Sequence, residues 1–242
     1  HEVTISCAGT GAGKTALLAS IAAQLIKQNV PTFVAPVETG DVDFGVRVLS
    51  ALARKDLTVG VKRDPEKFGE EYEESIRQLN ESPLFITNYD NRVEIEELRG
   101  VMHFASDRDG VRVALLDNLN FFLKVTSSTM EKAEMDQAIH EIVMFMKKFP
   151  IHTILICHPR KTENGRVTSE YDIKGSSTAV QECANVLLFN RCTDEDLNKG
   201  FTPFDREFVF KKIRRRGMNV GKKFYMRYVN GSYEELIVGR SS

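Results

Sequence analysis

An α/β fold, with a mostly parallel central sheet flanked by helices and antiparallel hairpins at its C-terminal end, is what the sequence predicts. Three observations carry that prediction. Apolar runs of strand length alternate with segments of helical periodicity from Val3 to Arg191, the first alternation encloses a glycine-rich loop, and beyond Glu207 the hydrophobic period changes to two. Alternating strands and helices build a parallel sheet. Period-two runs broken by Gly and Asn-Gly build hairpins.

The first strand, Val3-Thr4-Ile5-Ser6-Cys7, leads into Ala8-Gly9-Thr10-Gly11-Ala12-Gly13-Lys14-Thr15-Ala16, and a helix runs on to about Gln28. Glycines let such a loop turn its amides toward phosphate oxygens, and the following helix brings its positive end to the same place. Lys14 is then placed to reach β- and γ-phosphates, with the Thr15 hydroxyl on Mg²⁺. Ala8 stands where the strict pattern has glycine. A second strand over 32–37 ends in Glu38-Thr39-Gly40, which puts a carboxylate beside the phosphate loop where an attacking water needs a base. A surface acid in a turn is the alternative.

Helices are predicted over 42–54, 65–80 and 92–106, with a short strand over 84–87 between the last two. The acidic run Glu66, Glu70, Glu71, Glu73 and Glu74 reads as a solvated helix face. The continuous apolar run over 111–119 is a buried parallel strand delivering Asp117 at its carboxyl end, a second Mg²⁺ candidate with Thr15. After a polar loop over 126–132 comes a helix with Met135, Ile139, Ile142, Val143 and Met146 on one face, read as core. The strand over 151–157 ends in His158-Pro159-Arg160-Lys161, where His158 faces the side on which Lys14, Glu38 and Asp117 converge. A helix over 178–184 and a strand over 185–191 follow, then period-two strands over 208–217, 223–228 and 233–237. The basic cluster of residues 211–216 is open to three readings: a solvated hairpin tip, a nucleic-acid contact, or an arginine donated to a neighbouring subunit's γ-phosphate.

The 242 residues suit one domain spanning 1–242, and 42 % apolar content buries a sizeable core. No run approaches the ~20 apolar residues of a membrane span. Cys7, Cys157, Cys183 and Cys192 lack paired spacing and read as thiols of a reducing compartment. A net charge of −1 excludes a protein that coats nucleic acid over its whole surface, while leaving room for a local basic site. The chain starts at His1 on a core strand, so a fragment of a longer protein is expected.

Three stretches, Leu115-Leu116-Asp117-Asn118-Leu119-Asn120-Phe121, Ile156-Cys157-His158-Pro159-Arg160-Lys161 and the run from Gly175 to Leu187, resemble the RecA-like motor domain of DnaB-type hexameric replicative helicases. The likeness is closest to the branch containing Twinkle and the phage primase-helicases. It implies a RecA-like NTPase that uses ATP or another NTP with Mg²⁺, forms a hexameric ring, and translocates 5′→3′ on single-stranded DNA. A primase domain or protein is an implied partner. The implied place is the cytoplasm of a bacterial or phage-infected cell, or alternatively the mitochondrial matrix. By this resemblance Glu38 activates water, Asp117 accompanies Mg²⁺ and His158 senses the γ-phosphate. Arg160, Lys161 and Lys174 face DNA, Arg191 and Tyr228 sandwich the base, and Lys212 and Arg214 enter the next subunit's site. The run Arg214-Arg215-Arg216-Gly217 carries one more residue than the family pattern, which leaves the identity of the finger arginine open. Two other functions remain in view: a RecA- or RadA-like strand-exchange ATPase, and a regulatory ATP-binding module without DNA.

Overall fold

Among the described residues nine strands form one mixed sheet, six parallel strands from one edge and three antiparallel strands to the other. The structure, a computed structural model, describes residues 2–58, 69–89, 93–118, 131–146, 148–160, 166–173, 177–215 and 219–236. Strands β1 (Glu2–Cys7), β2 (Thr32–Ala35), β3 (Leu84–Ile86), β4 (Val113–Leu116), β5 (His152–Cys157) and β6 (Asn185–Arg191) are parallel, in the spatial order β3-β2-β4-β5-β1-β6. Strands β7 (Asp205–Ile213), β8 (Lys223–Val229) and β9 (Ser232–Leu236) extend the sheet antiparallel beyond β6. The chain leaves β1 to build β2 to β5 on one side and then crosses to β6 on the other. The carboxyl ends of β1 and its neighbours therefore line a crevice at a switch point, where α/β sheets bind ligands.

Helices α1 (Lys14–Lys27), α2 (Asp41–Ala53), α3 (Glu73–Asn80), α4 (Ile95–Asp109), α5 (Glu131–Met146), α6 (Ser177–Glu182) and α7 (Asp194–Asn198), with a single 3-10 turn over Glu170–Asp172, complete the described elements. Side-chain alternation sends Val3, Ile5 and Cys7 to one face, against Leu98 and Met102 of α4 and Ile139 and Ile142 of α5. Val34, Leu115 and Ile156 go to the other face, against Leu18 and Ala22 of α1 and Phe44 and Val48 of α2. Strands covered on both faces read as unbroken apolar runs, which is why the sequence revealed them. A third cluster joins Ala8, Ala12 and Leu17 to Phe189, Phe208 and Tyr233, so the loop after β1 rests on the antiparallel extension.

Several boundaries differ from expectation for local reasons. Strand β4 spans Val113–Leu116, shorter than 111–119, and Leu119 lies outside the described residues. Helix α4 runs to Asp109 rather than 106, because Gly110 at φ +66° supplies the left-handed C-cap that stops it. Of the helix expected over 65–80, residues 65–68, with Glu66 of the acidic run, lie outside the described residues; Glu70, Glu71, Glu73 and Glu74 are exposed, with Glu71 on Lys55 at 2.8 Å and Glu74 on Arg77 at 2.5 Å. Helix α7 is an addition, opened by a capping box in which the Thr193 hydroxyl accepts from the Asp196 amide and Asp196 accepts from that of Thr193. The side chains of Met135 and Met146 are not among the described residues, while Ile139, Ile142 and Val143 are buried as expected.

All four cysteines are free, and burial pushes the thiols of Cys7 and Cys183 up to about 12, leaving them inert. Among the described residues no helix is long and apolar enough to cross a membrane.

Candidate functional site

The loop between β1 and α1 turns through two left-handed glycines, Gly11 at φ +69° and Gly13 at φ +101°. Its carbonyls are held by the end of β6 and by the antiparallel extension. Arg191 Nη2 donates to Gly11 O at 2.9 Å, Arg206 Nε to Ala12 O at 2.7 Å, and the Tyr233 hydroxyl to the same oxygen at 3.3 Å. Left-handed glycines alternating with ordinary residues let such a loop turn amides toward an anion at the start of the following helix. Lys14, the first residue of α1, is buried, and its Nζ donates to Ala8 O at 3.2 Å and Gly9 O at 3.1 Å. Burial lowers the pKa of this ammonium, while Glu38 and Asp117 pull it back up. A desolvated ammonium facing two carboxylates is a strong point charge for a phosphate oxygen.

Strand register decides what meets Lys14. Cys7 pairs with Cys157, while Leu116 pairs with Leu155 and Ala35 with Leu116, so β2 and β4 end level with each other and two residues short of β1 and β5, at the same edge of the sheet. Asp117 and His158 each follow directly on a strand end. Glu38 is brought back to the same level by its amide, which donates to Asp117 O at 3.1 Å. Thr15 Oγ1 donates to Asp117 Oδ2 at 2.7 Å and lies 3.4 Å from Thr39 Oγ1. The Asn118 amide nitrogen donates to Glu38 Oε2 and lies 2.9 Å from His158 Nε2; Glu38 Oε2 is 3.5 Å from the same ring nitrogen. With the amide nitrogen as donor, Nε2 is the acceptor in that contact. Lys14, Glu38, Asp117 and His158 thus share one rim.

Asp117 has no solvent exposure, and burial raises its carboxyl to about 6; the Thr15 hydrogen bond counters this, and the neighbouring Glu38 charge adds to it. Its Oδ1 is buried without a hydrogen-bond partner. Among the described residues no group of three or more His, Cys, Asp or Glu side chains is placed to hold a metal. A Mg²⁺ site of one carboxylate and one hydroxyl needs no such group, because that ion keeps waters and takes phosphate oxygens. The orphaned Oδ1 beside the Thr15 hydroxyl fits it.

The other expected nucleotide-site residues divide between the phosphate loop and the opposite rim. Arg191 sits on the phosphate loop, and Tyr228 packs edge-on against Tyr233 at 5.3 Å. Lys212 donates to the carbonyls of Val180 (3.0 Å) and Gln181 (2.6 Å), and Arg214 to Glu182 O (3.2 Å), so both cations cap the C-terminus of α6. Ile213 pairs with Asn185, at the amino end of β6, whereas Arg191 at its carboxyl end touches the phosphate loop. At ~3.3 Å per residue these two ends are roughly 20 Å apart, beyond the reach of an arginine side chain. Arg214 therefore cannot serve the Lys14 site of its own chain. Arg160 is exposed and its amide donates to Asp172 O at 2.7 Å, while Lys161 and Lys174 lie outside the described residues. Sequence reading gave no role to Asn118, Thr39, Arg206 or Tyr233. For Asn118 and Thr39 the available signal was their place directly after Asp117 and Glu38; Arg206 and Tyr233 sit at the site through pairings that no local pattern displays.

A family model described as DnaB-like helicase C terminal domain matches residues 1–224. Among solved structures, the ATPase domain of G40P superposes with a TM-score of 0.80 at 13 % identity, covering 97 % of this chain and 84 % of that one. A structure of a DnaB-like replicative helicase and its interactions with primase gives a TM-score of 0.78 at 14 % identity, covering 98 % of this chain and 59 % of that one. At such identities the two structures establish a common fold.

Proposed function

The chain belongs to the DnaB-like helicase C-terminal domain family, a replicative helicase motor, and on that premise we propose that it hydrolyses ATP or another nucleoside triphosphate at the interfaces of a ring and moves along single-stranded DNA. The observation that carries the chemistry is the convergence of Lys14, Glu38, Asp117 and His158 on one rim, joined by Thr15 and Asn118. Phosphoryl transfer needs positioning and charge neutralisation more than covalent chemistry. In this reading Lys14 neutralises the β- and γ-phosphates. Glu38 takes a proton from the attacking water, its carboxylate held in line by Asn118. His158, held by the same amide, contacts the γ-phosphate and passes its presence to the segment that begins at Pro159. Thr15 and Asp117 would hold Mg²⁺, which when bound supplies charge neutralisation between the phosphates.

The finger arginine comes from elsewhere. Arg214 and Lys212 lie at the far rim of their own sheet, which suits donation to an adjacent subunit. An arginine supplied in trans is worth a rate factor of roughly 10³ or more. Arg160, with Lys161 and Lys174, is assigned to the DNA side, and a few such contacts per subunit, summed around a ring, suffice despite the near-neutral charge. A primase, attached or separate, is the proposed partner. The compartment that follows is the cytoplasm of a bacterial or phage-infected cell, or the mitochondrial matrix.

Unwinding of a forked duplex by the full-length protein tests this reading. Nucleotide-dependent unwinding, abolished by Lys14→Ala, is expected. Strand exchange without unwinding would assign the chain to recombination instead, and an assembled ring that binds no single strand would leave only a regulatory nucleotide-binding role.

A further inference from the structure

The reactive groups Glu38, Asp117 and His158 all lie on the β2, β4 and β5 side of β1. A triphosphate with its terminal group there must send its nucleoside the other way, over the carboxyl end of β6 and the antiparallel extension. That side presents a row of side chains fixed by pairing. Arg191 opposes Arg206, Arg206 opposes Met226, and Tyr228 opposes Tyr233. Arg206 reaches Ala12 O, so this is the face on which the phosphate loop lies. The ladder continues one step beyond β7, where the Tyr228 amide donates to Phe204 O at 3.2 Å. Phe204, two residues before Arg206, falls on the same face and directly across from Tyr228.

The backbone carrying Phe204 is firmly held. The Thr202 amide donates to Asp205 Oδ2 at 2.6 Å, and the buried Asp205 is gripped by Arg227 at 2.6 and 2.9 Å. Arg206 Nη1 donates to Pro203 O at 2.7 Å, and Phe201 stacks on Tyr225 with centroids 4.1 Å apart. Yet the Phe204 residue itself is 65 % exposed. An apolar ring shown to water on a pinned turn gains its burial only when something lies on it.

We propose that Phe204 stacks on the nucleobase beside Tyr228 and sets a preference for purine over pyrimidine triphosphates; this rests on the nucleotide-binding reading above. A purine offers the larger π-face, and the gain from stacking a base on an aromatic ring grows with the area covered. The test is calorimetric titration of wild type, Phe204→Ala and Phe204→Tyr with ATP, UTP and ribose 5-triphosphate, in Mg²⁺ and without DNA. Phe204→Ala is expected to weaken ATP binding by about fivefold or more, UTP less, and ribose 5-triphosphate not at all, with Phe204→Tyr close to wild type. Unchanged ATP affinity in Phe204→Ala overturns the proposal, as does an equal loss for ATP and ribose 5-triphosphate, which would mark a structural role. Wild-type protein that binds none of the three overturns the phosphate-site assignment as well, so the two failures are distinguishable.

Discussion

Asp117 keeps a carboxylate wholly out of water, between the Thr15 hydroxyl and the charge of Glu38. Its pKa near 6 lies above the ordinary carboxylate value, so the folded chain binds this proton more tightly than the unfolded one. Stability from this group is therefore present in acid and is lost as pH rises from about 4 to about 6. Asp117→Asn keeps an acceptor for Thr15 and has no charge to bury. In chelated buffer at pH 7 it is expected to be more stable than wild type by up to about 3 kcal/mol, with the gap closing below about pH 4, and to hydrolyse no nucleotide. Denaturant titrations at the two pH values check this, and a gap that widens in acid would refute the sign. Asn118 is the second decisive residue, since one amide touches both Glu38 and His158. Asn118→Ala is expected to lower kcat by roughly 10- to 100-fold with little change in KM. Asn118→Asp, which sets a carboxylate against Glu38, should be worse; steady-state kinetics on both variants reads the difference.

Among the elements, the phosphate loop is shaped as much by the antiparallel extension as by its own glycines. A Cβ on Gly13 would collide with the Tyr233 hydroxyl, and φ at Gly13 lies in the left-handed region. Gly13→Ala is accordingly expected to lower the unfolding midpoint and abolish nucleotide binding. Tyr233→Phe in the same chain removes the colliding oxygen and leaves the backbone strain. The double variant should regain part of the lost stability, read by thermal melting, but not the binding. No recovery would mean that strain at Gly13 is the whole effect. Helix α6 shows the same interdependence, because its last carbonyls are satisfied by Lys212 of β7 and by Arg214 just after it. If those cations also serve a neighbour's site, assembly must draw them away from the helix end.

At the scale of the whole molecule, the two halves of the proposed catalytic apparatus occupy opposite rims of one sheet. Lys14→Ala and Arg214→Ala should each be inactive alone. Mixed and allowed to assemble, they should regain activity at about a quarter of interfaces, those pairing an intact loop with an intact arginine. Turnover measured against mixing ratio checks this, and a mixture as inactive as its parts would remove Arg214 from catalysis in trans. Much of this architecture was readable beforehand. Strands covered on both faces produce apolar runs, and the glycine-rich loop with Lys14 and Thr15 is a local solution to binding phosphate. The short helix α7 escaped notice, although Thr193 and Asp196 spell its cap, because five residues display no hydrophobic period.

The sequence by itself determined the strand–loop–helix start, the polar residues at the ends of β2, β4 and β5, and the change of period that marks the hairpins, because each is a pattern within one segment. Only the tertiary structure decided that Asn118 bridges Glu38 to His158, that Arg206 and Tyr233 shape the phosphate loop, and that Phe204 stands across from Tyr228. Those contacts join residues far apart in the chain, and they exist only once parallel pairing has brought the strand ends to one edge of the sheet and antiparallel pairing has fixed which side chains share a face.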